Sequence, residues 1–178
     1  MSYELLVFKP AMGTDPLEQG KLKLLQSVAE IGRPMPGSDA FKAQMQSVIL
    51  SIQPEYEVLE TDFETIAEEE DISVSKAREK YRDVEISPAG DGLGPHVTIQ
   101  DDQIIFTLPD EPDAGKARQA FEASWQLIAA CAKVPGMRIY DGQINAMLRP
   151  DDTRDHQSAW QQYESIVVEA AKPWWKFW

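Results

Sequence analysis

Tyr3-Glu4-Leu5-Leu6-Val7-Phe8 is apolar at all but one position, and Lys9-Pro10 ends it. So short and apolar a run reads as a β-strand that is largely buried, and the rest of the fold is read around it. Farther along, Val97-Thr98-Ile99 and Ile104-Ile105-Phe106-Thr107-Leu108 flank Gln100-Asp101-Asp102-Gln103, the pattern of a β-hairpin. Pro135-Gly136 then turns the chain into Met137-Arg138-Ile139-Tyr140, a fourth strand.

Between these strands the apolar period lengthens to that of helices. Asp15-Pro16-Leu17-Glu18 carries an N-cap acceptor, a first-turn proline and a capping-box glutamate. Leu17, Leu24, Leu25, Val28 and Ile31 form the apolar face behind it, and Gly32, Pro34 and Pro36 stop the helix. A second helix follows Ser38-Asp39, with Phe41, Met45, Val48, Ile49 and Ile52 on one face and Pro54 as its end. Thr61-Asp62-Phe63-Glu64 is a further capping box, and residues 75–81 read as another helical piece with Lys76 and Lys80 to one side. A long helix is expected after Pro112-Asp113, with Ala117, Phe121, Ser124, Ile128 and Ala132 along one face and Trp125 beside it. The last runs over residues 154–171, with Trp160, Tyr163, Ile166, Val167 and Ala170 inward. The breaker-rich stretch of residues 87–95 reads as a mobile connection.

This order predicts an α+β fold on the split β-α-β-β-α-β, ferredoxin-like plan: a four-stranded, mostly antiparallel sheet with helices over one face. The second helix and an acidic helical insertion at about 54–83 are additions to that plan, as is the C-terminal helix. At 178 residues, without repeats, the chain is expected to form one domain over 1–178. No apolar run is long enough to span a bilayer, the first residues lack the pattern of a secretory signal, and Cys131 is the only cysteine. A cytoplasmic setting is the expectation.

Charge is unevenly placed. The formal net charge is −13, of which −9 lies in residues 54–75: Glu55, Glu57, Glu60, Asp62, Glu64, Glu68, Glu69, Glu70 and Asp71, with no base among them. Such a polyanion repels phosphate backbones and anionic membranes and attracts basic protein surfaces. A solvated helix face would ordinarily mix glutamate with lysine at i,i+4, and here the lysines are missing. The nine acids together with Phe63 are therefore the candidate partner-binding residues. Trp174, Trp175 and Trp178 in the aromatic tail are a second candidate contact, unless they dock on the chain's own sheet.

Catalytic signals are weak. His96 and His156 are the only histidines, and no nucleophile motif accompanies them. Cys131 in Ala129-Ala130-Cys131-Ala132 reads as a core residue, since no cationic neighbour would activate it. Asp151-Asp152-Thr153-Arg154-Asp155-His156 has the residue types of a metal site, but reads better as a polar loop capping the last helix. Gly90, Gly92 and Gly94 precede a strand, whereas phosphate loops follow one. No catalytic residue, metal or cofactor is expected.

Ser2-Tyr3-Glu4-Leu5-Leu6-Val7-Phe8-Lys9-Pro10 resembles the start of a group of small bacterial proteins beginning S-Y-D-L-x-V-F-x-P. Arg138-Ile139-Tyr140-Asp141-Gly142-Gln143 is similar to that group's Y-D-P-Q, and the Trp-rich end is similar too. The chain departs at Glu4 and Lys9, where the group has aspartate, at Gly142 in place of proline, and in its acidic segment. The resemblance implies an immunity-type inhibitor of a polymorphic or contact-delivered toxin, and implies no site residues. Two other readings stay open. One is an enzyme or small-molecule-binding module with His96, Tyr140 or Asp141 in a cleft between sheet and helices; the other is a structural protein that self-assembles through its aromatic tail.

Overall fold

A computed structural model describes residues 3–26, 35–111 and 113–170. Among them the elements run β1 (Tyr3–Phe8), α1 (Pro16–Gln26), α2 (Ser38–Ile52), β2 (Tyr56–Val58), α3 (Phe63–Glu69) and α4 (Val74–Lys80), then β3 (Val84–Pro88), β4 (His96–Ile99) and β5 (Gln103–Leu108), and finally α5 (Ala114–Ala132), β6 (Arg138–Asp141), β7 (Ala146–Leu148) and α6 (Thr153–Ala170). Val28, Ile31, the Gly32–Pro34 stop and the aromatic tail lie outside the described residues.

The fold is α+β with one open antiparallel sheet, but the sheet has seven strands in the order β2-β3-β4-β5-β1-β6-β7, not four. The four expected strands stand side by side at its centre as β4-β5-β1-β6. Three more extend both edges, two of them only three residues long.

The expected single helical face also needs correcting. Leu5 and Val7 of β1 point into the larger apolar cluster with Val97, Ile99, Ile104, Phe106 and Ile139, beneath α2, α5 and α6. Leu6 and Phe8 point the other way and join Ile105 and Tyr140 under Leu17 and Leu24 of α1. A strand apolar on both faces needs cover on both, and α1 supplies the second. Within α1, Gly20 is what allows the approach: a Cβ there would lie 2.6 Å from Cγ of Tyr140. Leu25, expected on the buried face, is 73% exposed.

Helix signals fall where the sequence placed them, within a residue or two. Asp113 caps α5 through the Lys116 N–H at 2.9 Å, and Phe121, Ser124 and Ile128 are fully buried. Tyr163 of α6 stacks near Phe121 and Tyr3, and its hydroxyl donates to the Pro109 carbonyl at 2.6 Å. The stretch read as a mobile connection starts as strand β3, and Gly94 and Pro95 within it are buried.

A charged cluster fastens one end of the sheet to α2. Asp101 in the β4–β5 turn accepts from Lys42 Nζ at 2.9 Å and from Arg82 Nη2 at 2.8 Å, and also takes the Met35 N–H at 3.1 Å. Burial alone would raise the Asp101 carboxyl. The Arg82 and Lys42 hydrogen bonds outweigh it and hold the group well below the usual carboxylate range.

Gly20→Ala should destabilise the protein by about 1–3 kcal/mol in urea unfolding, because overpacking against Tyr140 exceeds alanine's helix-propensity gain of about 1 kcal/mol. Asp101→Asn should cost about 2–4 kcal/mol at pH 7, since it leaves buried cations uncompensated. Because the folded-state pKa of Asp101 is depressed, its stabilisation is present above the unfolded value near 4 and lost as pH falls below it. Wild type and variant should therefore converge in stability as the solution is acidified from about pH 4.

Candidate functional site

The acidic segment is a strand followed by a helical hairpin. After β2, Asp62 caps α3, its Oδ1 accepting from the Glu64 and Thr65 N–H groups at 3.1 Å each. Asp71 ends α3 in the left-handed conformation (φ 51°), and the Ile72 N–H donates to the Ala67 carbonyl at 3.0 Å, closing the helix as a Schellman turn does. Ser73 then caps α4 through the Lys76 N–H at 3.2 Å. Ala67 and Ala77, both buried, let the two short helices pack closely. Among the described residues, none from 59 to 81 joins either main apolar cluster, so the hairpin is a satellite with its own small core.

All nine acids of residues 54–75 are exposed. One is neutralised across the hairpin: Glu70 accepts from Lys80 Nζ at 2.6 Å and from the Tyr81 hydroxyl, and these two donors lower its pKa. The lysine missing from the acidic segment is thus supplied from α4. Asp62 is occupied as a cap and Asp71 as the turn residue. Glu55, Glu57, Glu60, Glu64, Glu68 and Glu69 have no cation within ion-pair distance among the described residues. Phe63 is half-buried beneath the Arg78 guanidinium, 5.1 Å from its ring centroid, so its face is used inside the hairpin.

Next to the hairpin, the half of the sheet that α1 leaves uncovered presents polar side chains. Glu57 on β2 pairs in register with Ser87 on β3, and on β4 and β5 His96 pairs with Thr107, which on its other side faces Glu4 of β1. Glu85, opposite Thr98, accepts from the Thr98 hydroxyl at 3.0 Å, and its Oε2 also meets His96 Nε2. That bond to Glu85 raises the His96 pKa against a smaller opposing effect of burial. The His96–Glu85 pair was not legible in the sequence. Only strand register brings residues 85 and 96 to one face.

His96, Tyr140 and Asp141, each a candidate for a cleft, are not brought together. Tyr140 lies beneath α1, and Asp141 points to the opposite face, fully buried and bonded to the Tyr3 hydroxyl. Burial raises the Asp141 carboxyl, opposed by that bond and by the Gln143 and Ile144 N–H groups it accepts. His156 sits edge-on to Phe121 and Trp125 with Nε2 3.1 Å from Glu122, a packing position between α5 and α6. Cys131 is fully buried, and burial pushes its thiol up to about 12.

In the loop before α6, Asp152 takes the Arg154 N–H at 2.9 Å, and Asp155 takes the Arg149 N–H at 2.9 Å. Their carboxylates thus serve the helix start. Among the described residues no group of three or more His, Cys, Asp or Glu side chains could hold a metal ion, and no helix is long and apolar enough to cross a membrane. No protein-family model, curated protein or solved structure matches this chain.

A proton-NMR titration should place His96 above the ordinary histidine value of about 6.5, and Glu85→Gln should bring it back down. Because the folded-state pKa is raised, the stabilisation from this pair is fully present below the unfolded value and lost as pH rises through the folded one.

Proposed function

We propose that this protein is a protein-binding inhibitor of the immunity type, which neutralises a cognate toxin domain in the cytoplasm by covering its active surface. The hairpin of α3 and α4 is its electrostatic recognition element. The observation that carries this reading is the set of six exposed glutamates, Glu55, Glu57, Glu60, Glu64, Glu68 and Glu69, that have no cation beside them. Three of them, Glu64, Glu68 and Glu69, stand on α3, which is held by the Asp62 cap and by pairings that use none of the three, and this leaves their charge available to a partner. A basic surface, such as the substrate groove of a nuclease, is the complementary partner, and long-range attraction between the two acts mainly on the association rate. The resemblance of the N-terminal strand and of residues 138–143 to a group of small bacterial proteins, mostly uncharacterised and some of them of the immunity type, supports the same reading.

Glu68→Lys combined with Glu69→Lys leaves the Glu70–Lys80 pair, the caps and the turn intact. Against a basic protein domain captured by pull-down with the full chain, stopped-flow mixing should show association slowed at least about tenfold at low salt and much less dependent on ionic strength. Unchanged association would remove the electrostatic role from the hairpin.

A further inference from the structure

The open half-face beside the hairpin has an acidic character that α1 cannot account for. From β2 to β1 it carries Glu57, Ser87, His96, Thr107 and Glu4 in one polar row, with Glu85 and Thr98 in the next. No strand residue in these two rows from β2 to β4 is Lys or Arg, and the one ionisable nitrogen, on His96, is held by Glu85. His96 is 42% exposed and Glu85 33%, so the pair is accessible from solvent. On the same face, beyond Ile105, the side chains turn apolar where α1 lies on them. Among the described residues, one half of the face is thus covered by a helix of this chain, and the other is polar and carries Glu57 and Glu85.

We infer that the second half-face is a docking surface for a lysine- or arginine-bearing helix of a partner protein, lying across β2 to β5 beside α1. The inference rests on the inhibitor reading and extends the partner's footprint from the hairpin onto the sheet. Charge complementarity selects the occupant: Glu57 and Glu85 offer carboxylates on neighbouring strands, and Thr98, Ser87 and Thr107 offer hydroxyls that accept from ammonium or guanidinium groups. The span fits as well. Four strands at about 4.8 Å spacing extend about 14 Å, roughly ten residues of helix, which brings lysines at i,i+4 over successive pairs of strands.

The test is an amide-resolved NMR titration of the full chain with a helical peptide of alanine and leucine bearing lysines on one face, and with its glutamine counterpart as control. The expected result is lysine-dependent shifts at Glu57, Ser87, His96 and Thr107, abolished in Thr107→Lys and retained in Glu68→Lys/Glu69→Lys. Shifts confined to the α3–α4 hairpin would overturn the sheet-face site while leaving the inhibitor reading standing. No shift anywhere would count against both. Equal shifts with the glutamine peptide would overturn charge as the selector. Concentration-dependent shifts of the same amides without peptide would assign the face to a second copy of this chain instead. If Thr107→Lys disturbs the fold, seen as shifts spreading into the β1 and β6 amides, Ser87→Lys is the replacement probe at the same row.

Discussion

Burial of β1 on both faces is the constraint from which the rest of the architecture follows. Leu5 and Val7 require one apolar layer, and Leu6 and Phe8 require another. The first layer is large because α2, α5 and α6 all contribute to it. The second is smaller: among the described residues, α1 alone supplies it, across β5, β1, β6 and β7. Among the described residues, one half-face of the seven-stranded sheet is therefore covered by no helix. Polar residues at Glu57, Glu85, Ser87, His96 and Thr98 are what such a half-face demands, since apolar side chains there would form an exposed patch. Among the described residues, the open surface thus follows from α1 lying on one half of a wide sheet.

The hairpin illustrates a different balance. Helices of seven residues are too short to be stable from propensity alone, so local devices hold them. These are the Asp62 and Ser73 caps, the left-handed Asp71 turn, the Ala67–Ala77 contact, and the Phe63–Arg78 and Glu70–Lys80 pairings. None of them consumes Glu64, Glu68 or Glu69. Mutual repulsion among those side chains lowers the hairpin's stability and raises its potential at once. An element outside the main core can tolerate that trade, because its loosening leaves the sheet intact.

Long, strongly patterned elements were legible in the sequence: β1, the β4–β5 hairpin, α5 with its Asp113 cap and the period of α6. What was missed was short or non-local. Tyr56-Glu57-Val58 and Ala146-Met147-Leu148 are too brief for a period-two signal to stand out, and Tyr56 lay inside a stretch dominated by acids. Val84-Glu85-Ile86 alternates correctly, but with Ser87-Pro88 directly behind it the run is too short for its period to stand out. The placement of α1 opposite the other helices was implicit in Leu6 and Phe8, which a strand covered on one face alone would not bury. The candidate site was legible in its charges and not in its geometry. The acids could be counted, but Lys80 reaching Glu70 and Glu85 reaching His96 depend on how the chain folds back.

The fate of the cations completes the account of the acidic surface. Net charge of −13 would matter less if the bases lay among the acids. Instead Lys23, Lys42 and Arg82 are all committed to one turn of the sheet. Lys42, with a side chain only 6% exposed, and Arg82 both converge on Asp101 in the β4–β5 turn, where removal of one partner is costly. Lys23 is tied to Asp102 at 2.5 Å in the same turn. Three bases that could have screened the sheet face and the hairpin are therefore spent fastening α1, α2 and β3 to one hairpin turn. The ion pairs that fix the framework thus hold three bases at one turn, while Glu64, Glu68 and Glu69 keep no cation beside them among the described residues.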